Sequence, residues 1–224
     1  MQINRKHIAT LRKLMANKDD EQILVVKANI LFSAQGGPAS GWEGGKWQGL
    51  KTDNLDYYVD LIKNNCEFKR RGDMENDSSW QQIIPYIIFN YEGKYFLYNY
   101  LNKAGEQRLR NDYIIGIGGH INKDDVNDSV DVLEAGRDRE WDEEVSYSGN
   151  LDKKLVGILN DDRRPVEAVH LGLVYLFKGD SPDISVKETD KMKGEMFTLK
   201  ELGEKVVGTE GWAPIIYEEY LSKL

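Results

Sequence analysis

Glu140, Glu143 and Glu144 stand at i, i+3 and i+4 in the stretch AGRDREWDEEVSYS, residues 135–148. A helix through this stretch presents all three carboxylates on one face. Like charges at that spacing destabilise a helix by roughly 0.2–0.5 kcal/mol per pair, so three together call for a partner of opposite charge. A hard divalent cation answers that need, because Mg²⁺ takes carboxylate oxygens, keeps several waters and completes its shell with substrate phosphates. Arg139 lies next to Glu140 and four residues before Glu143, placed to hold carboxylates in position. Val130, Trp141 and Val145 form an apolar stripe beside the acidic face, which predicts that the acids lie against the domain body. Upstream, YIIGIGGH ends an apolar run in glycines, where exposed backbone could approach a ligand. The competing account is a solvated helix face, since Arg137, Asp138 and Asp142 charge the other sides of the same helix.

Two other phosphate-binding patterns fail on inspection. A P-loop needs G-x-x-x-x-G-K-[ST], yet the position five before Gly45 is Ser40 and the residue after Lys46 is Trp47. A dinucleotide fingerprint starts at Gly116 and Gly118, but its third glycine position is Ile121 and NKDDVND separates it from any helix.

The elements that must position the acids follow from periodicity and turn signals. Residues 3–17, with Ile8, Leu11 and Met15 at helical spacing, predict an amphipathic helix, and EQILVVKANILF over 21–32 predicts a strand. A loop rich in glycine follows, carrying Pro38, Trp42 and Trp47, and then a helix over 53–65 with Leu55, Tyr58, Val59 and Ile62 as its stripe. Residues 68–79 read as a polar connection. QIIPYIIFNY and KYFLYNYL, either side of a tight turn, predict a β-hairpin, and DYIIGIGG predicts another strand ending in glycines. The acidic helix spans about 128–147. Strands follow over 154–161 and 166–179 with DDRRP between them, then a strand running into a helix at 196–206 and a closing helix from 212. This order predicts an α/β fold, a mixed sheet sandwiched between helices. Residues 1–67 form an N-terminal helical and strand extension on a main domain at 68–224.

Bulk properties narrow the setting. The 224 residues carry a formal charge of −8, with 38 acidic against 30 basic side chains, which disfavours broad attraction to nucleic acid or an anionic membrane. Cys66 is the single cysteine, so no intrachain disulfide forms and a reducing compartment is expected. No stretch approaches the roughly 18 apolar residues of a membrane span. A cytoplasmic protein is the expectation.

The stretch GG followed by a helix bearing REWDEE resembles the signature of the Nudix hydrolases, G-x5-E-x7-R-E-U-x-E-E-x-G-U with U apolar. Arg139, Glu140, Trp141, Glu143 and Glu144 fill its R-E-U-x-E-E portion. The spacing departs: Gly119 precedes Arg139 by six residues more than the signature allows. Counting forward from Gly119 puts the signature's first acid at Asp125, counting back from Arg139 puts it at Asp131, and both remain open. Ser146 stands where the signature has glycine. Over about 68–200, IIPYIIFNYEGKYFLYNYL, YIIGIGGHIN and ILNDDRRPVEAVHLGLVYLF resemble a branch of Nudix proteins known only as phosphoesterases by inference.

That resemblance implies roles. Glu140, Glu143 and Glu144 would bind Mg²⁺ or Mn²⁺, with the Gly119 carbonyl as a further ligand. Arg139 would belong to the catalytic group by orienting Glu140 or Glu143. The general base would be Glu140 itself or a loop acid, Glu188, with Glu195 as its competitor. Gly118, Gly119, His120 and Arg71 would contact substrate, with Arg70 and Gln82 nearby, whereas His170 reads as a packing residue. The implied activity is Mg²⁺-dependent hydrolysis of a pyrophosphate bond in a nucleoside diphosphate derivative or similar organic pyrophosphate, with a small phosphorylated molecule as partner and a homodimer as an open option. The alternatives are a catalytically silent domain that senses a nucleotide or metabolite, and an interaction protein that docks through residues 1–67.

Overall fold

The computed structural model describes residues 17–33, 46–101 and 113–224. The helix expected over 3–17 and the loop positions Pro38 and Trp42 lie outside the described residues. The strands are β1 (Gln22–Lys27), β2 (Gly49–Lys51), β3 (Glu67–Arg70), β4 (Trp80–Tyr91), β5 (Lys94–Tyr100), β6 (Val145–Ser146), β7 (Leu151–Asn160), β8 (His170–Gly179), β9 (Ser185–Val186) and β10 (Met192–Thr198). The helices are α1 (Ala28–Ser33), α2 (Leu55–Asn65), α3 (Arg71–Met74), α4 (Val132–Glu144), α5 (Leu199–Val206) and α6 (Trp212–Glu219).

The main sheet has the order β10-β5-β4-β8-β7-β2, and β1 pairs with both β3 and β4. β4 and β8 are parallel and the other pairs are antiparallel, which makes the sheet mixed. Its alternating side chains divide the core in two. Ile83, Ile87, Phe89 and Phe177 meet Leu31, Tyr58, Ile62, Leu133 and Trp141 on the face of α1, α2 and α4. Ile88, Val174 and Leu176 meet Leu202, Val206 and Ile216 on the face of α5 and α6. Helices therefore cover both faces, as the element order predicts.

One irregularity builds the site. β4 and β5 are joined by Glu92 and Gly93, both at positive φ, the two-residue turn that matches strand twist. The two strands pair only at Asn90–Tyr95 and Tyr91–Lys94 and then part. The segment expected as a strand over 112–119 fills the gap with isolated bridges rather than a continuous ladder: Ile114 pairs with Tyr98, and Ile117 with Ile87. Gly116 lets the chain cross under the Tyr86 ring, which a β-carbon there would approach to 2.0 Å.

Other expectations need correction. The strand expected over 21–32 stops at Lys27, because β1 has by then reached Trp80, where β4 begins; Ala28 N–H turns to Ser79 O and the apolar run continues as α1. An apolar run alone does not separate strand from helix. The connection expected at 68–79 contains β3 and α3; β3 is charged because it is an edge strand beside β1. The acidic helix is shorter than 128–147: Asp131 caps it by accepting from Leu133 and Glu134 N–H, and Val145 and Ser146 leave it to pair with β9. Of its apolar stripe, Trp141 and Val145 are buried and Val130 is exposed. Arg137, expected on a solvated side, is buried over the Tyr175 ring at 5.0 Å. No helix of the described residues is long and apolar enough to cross a membrane.

Candidate active site

Arg139 ties the glycine turn to the acidic helix. Its Nε donates to Asp125 Oδ1 at 2.6 Å and its Nη2 to Asp125 Oδ2 at 3.0 Å. Nη2 also donates to the His120 carbonyl at 2.7 Å, and Nη1 to Glu140 at 2.8 Å and Glu143 at 3.2 Å. Asp125 is buried at the end of a 3₁₀ turn. Asp131 is otherwise employed, as the cap of α4 and in an ion pair with Lys63 at 2.9 Å. The acid that partners the arginine is thus Asp125, and the extra residues fall between it and the helix.

Glu140 is buried, with its carboxylate against the glycine turn: a β-carbon built on Gly119 would stand 2.6 Å from Glu140 Oε2. Gly118 is as confined, because a β-carbon there would come 1.8 Å from the Pro85 carbonyl oxygen. Burial raises the pKa of Glu140, opposed by Arg139 and reinforced by Glu143 and Glu144. Burial also raises that of Glu144, with Glu188 and Glu143 adding to it. The last turn of α4 holds no basic residue, so the three glutamates crowd the end of the helix where its dipole is negative.

Glu188 reaches this cluster through the small β6–β9 sheet, which pairs Val145 with Val186, and through Lys187 N–H, which donates to the Glu144 carbonyl at 2.9 Å. Its carboxylate is ion-paired with Lys191 at 2.9 Å. Glu195 is not a loop acid: it lies in β10 opposite Leu97, paired with Lys193 at 2.6 Å.

A cavity of about 430 Å³ opens beside the glycine turn, and Gly118, Gly119, His120 and Arg71 all line it. Its volume falls in the range of small-molecule sites. His120 Nε2 contacts Gln82 Oε1 at 2.6 Å, and the Gln82 amide nitrogen is committed to the Met74 carbonyl at 3.3 Å, so His120 is the donor. Burial pushes its pKa down to about 3, with Arg71, His170 and Arg139 adding to the shift, which leaves it neutral with Nδ1 as acceptor. His170 donates from Nδ1 to the Val166 carbonyl, and burial lowers its pKa too. Arg71 is shared between Glu21 at 3.2 Å and Glu75 at 3.1 Å. Arg70 is bound to Asp20 and Asp73 and is absent from the cavity lining. Glu167 and Trp212 also line the cavity; they come from a 3₁₀ turn and a helix start remote in sequence, and no motif marks them.

Among the described residues, no three His, Cys, Asp or Glu side chains converge on one point ready for a metal ion. The donor set nevertheless fits a hard cation: carboxylates whose charge is disfavoured by burial and mutual repulsion, one of them packed against the α-carbon of Gly119.

No protein-family model matches the chain. The chain is 28% identical over 209 residues to the protein YmaB of Bacillus subtilis strain 168, covering 90% of this chain and 98% of that one. The crystal structure of Tm1382, assigned to the Nudix hydrolases, superposes with a TM-score of 0.75 and 27% identity over 91% of this chain and all of that one. A NUDIX-family hydrolase of Clostridium perfringens overlaps less, with a TM-score of 0.43 and 15% identity over 64% of this chain. The chain thus shares the fold of Tm1382, and its Arg139-Glu140 and Glu143-Glu144 pairs lie on a helix docked against Gly119.

Proposed function

We propose that this chain is a Nudix hydrolase that cleaves the pyrophosphate bond of a nucleoside diphosphate derivative or a similar organic pyrophosphate, with Mg²⁺ as cofactor and Mn²⁺ as a substitute. The observation that carries the proposal is the contact between the Glu140 carboxylate and Gly119, which joins the acidic cluster to the cavity. Glu140, Glu143, Glu144 and the Gly119 carbonyl would hold the cation. Bound there, it would neutralise diphosphate charge and lower the pKa of a nearby water.

The chain's own residues do the rest. Arg139 holds Glu140 and Glu143 from a base fixed on Asp125 and the His120 carbonyl, so the carboxylates keep their direction when substrate arrives. Glu188 takes the proton of the attacking water, with Glu140 as the other candidate. His120, neutral and anchored by Gln82, shapes the cavity wall and offers an acceptor rather than a positive charge. Cys66 is a free thiol, which supports a reducing, cytoplasmic setting for an enzyme with a small phosphorylated substrate.

The test is a panel of nucleoside diphosphate derivatives, nucleotide sugars, dinucleoside polyphosphates and inositol pyrophosphates assayed with Mg²⁺. Release of a phosphate-bearing product from one of them, abolished by chelation and by Glu143→Gln, supports the proposal. Tight nucleotide binding without turnover in Mg²⁺ or Mn²⁺ would instead define a sensing domain.

A further inference from the structure

A second cavity, of about 590 Å³, opens where β1 ends and β4 begins, lined by Lys27, Lys46, Ser78, Ser79 and Trp80. It shares no lining residue with the cavity beside Gly119. In a chain with 38 acids against 30 bases, no acid among the described residues lines it. Lys27 is exposed, and its Nζ stands 5.4 Å from the centre of the Trp80 ring. Trp80 packs in turn on Ile23, Val25 and Met74, which fixes the ring. Lys69 lies over the same ring at 4.3 Å and is paired with Glu67 at 3.4 Å. Lys46 is half-buried; its Nζ donates to the Ala168 carbonyl at 2.8 Å and faces the Phe32 ring at 5.3 Å. Burial lowers its pKa, against the pull of Asp162. Among the described residues neither Lys27 nor Lys46 is ion-paired with a carboxylate.

We propose that this cavity is a second anion site, which takes the phosphate chain of a phosphorylated small molecule between Lys27 and Lys46. An ammonium drawn out of water without a counter-charge is unfavourable, and here the chain supplies a carbonyl and ring faces in place of a carboxylate. A bound anion completes the pair. Ammonium groups bind phosphate as point charges, with three rotatable donors each, so two of them can follow successive phosphoryl groups. The Ser79 hydroxyl is committed to Asp77, which leaves the exposed Ser78 hydroxyl as a further donor. The face of Trp80 is already occupied by lysine heads, so the ring positions charge and does not stack a base. The volume falls in the range of small-molecule sites and exceeds what a lone phosphate fills. Lys46 is also free to turn toward a ligand. The Ala168 carbonyl accepts a second hydrogen bond, from Gln81 Nε2 at 3.0 Å, and stays satisfied when the lysine leaves.

The test is calorimetric titration of the full, metal-free chain with inorganic tripolyphosphate at fixed ionic strength, with citrate as the anion that lacks phosphate. Wild type, Lys27→Gln and Lys46→Gln are compared. Lys205→Gln, at a lysine of α5 that lies over the Tyr113 ring, is the control for lost charge alone. Tripolyphosphate should bind wild type, each cavity variant should weaken it roughly tenfold or more, and Lys205→Gln should leave it unchanged. Citrate should bind wild type more weakly than tripolyphosphate. No binding at millimolar concentration, an affinity unchanged in either folded cavity variant, an equal loss in Lys205→Gln, or citrate bound as tightly as tripolyphosphate overturns the proposal. Thermal melts accompany each titration. Lys27 is exposed, so Lys27→Gln keeps the fold and decides the matter should Lys46→Gln melt early. Turnover is not read, so the result stands apart from the activity proposed for the cavity beside Gly119.

Discussion

Asp125 and Arg139 are joined by two hydrogen bonds, at 2.6 and 3.0 Å, across fourteen residues of chain. The pair clamps the loop after the glycines to the helix that carries the glutamates, and the same guanidinium reaches Glu140 and Glu143. Removing it leaves Asp125, 4% exposed in its side chain, as a buried charge without its partner. Arg139→Ala should therefore lower unfolding stability by about 3–5 kcal/mol, read from urea midpoints. A double-mutant cycle with Asp125→Asn should show coupling of at least about 1 kcal/mol. Additive losses would mean that the clamp is incidental.

Glu144 should behave as a residue kept for binding rather than for folding. Its pKa is raised by burial and by Glu188 and Glu143, so its folded-state value lies above the unfolded one. A carboxyl shifted this way favours the folded state most below its ordinary range, and that contribution is lost as pH rises through the raised value. Glu144→Gln should thus raise the melting temperature of the metal-free protein at pH 8 and change it little at pH 4. The same variant should lose most of the stabilisation that Mg²⁺ gives wild type, as measured by thermal melts with and without the ion. An unchanged Mg²⁺ shift removes Glu144 from the ligand set.

His120 gives an opposite pH signature. Its pKa falls from an ordinary 6.5 to about 3 on folding, so it stabilises the folded state above about pH 6.5 relative to acid conditions, and that margin shrinks as pH falls toward 3. His120→Gln should flatten the acid limb of stability between pH 6.5 and 4 relative to wild type, by urea titration at fixed ionic strength. Identical limbs for the two proteins would show that His120 titrates normally.

Much of this architecture could be read from residue order, and the losses have physical causes. The hairpin of β4 and β5 was legible because Glu92-Gly93 supplies a two-residue turn between apolar runs, and α4 because Arg139, Glu140, Glu143 and Glu144 share a face. Both depend on local spacing. The switch from β1 to α1 was not legible, since it is decided by where β4 starts on the neighbouring strand. The choice between Asp125 and Asp131 likewise needed the fold, because either count along the chain ends on an aspartate. Glu167 and Trp212 carried no local signal: their shared cavity is made by β8, its preceding turn and a helix some forty residues later.

Gly118 tests how close the glycine turn must lie to β4. A β-carbon there would stand 1.8 Å from the Pro85 carbonyl oxygen, and that oxygen belongs to backbone within the sheet. Gly118→Ala must push the turn off β4, at a stability cost of about 3 kcal/mol or more, together with a loss of activity. Near-native stability, measured by denaturant unfolding, would show that the turn has room to move.

Glu188 is the sharpest test of the proton-transfer step. Its place near Glu144 depends on the β6–β9 pairing and the Lys187 N–H bond, so the loop delivers it to the acidic cluster without using it to hold the fold. If it takes the proton from water, Glu188→Gln should lower kcat about 10²- to 10⁴-fold with KM little changed, and flatten the rise of rate with pH on the acid side. The protein should melt as wild type, since an exposed pair such as that with Lys191 is screened by solvent and adds little to stability. Glu195→Gln provides the control: Glu195 lies in β10, paired with Lys193, and its loss should leave kcat unchanged. A large loss at Glu195 with none at Glu188 would reverse the assignment. Full activity in both variants would return the base to Glu140, whose carboxylate already borders the cavity at Gly119.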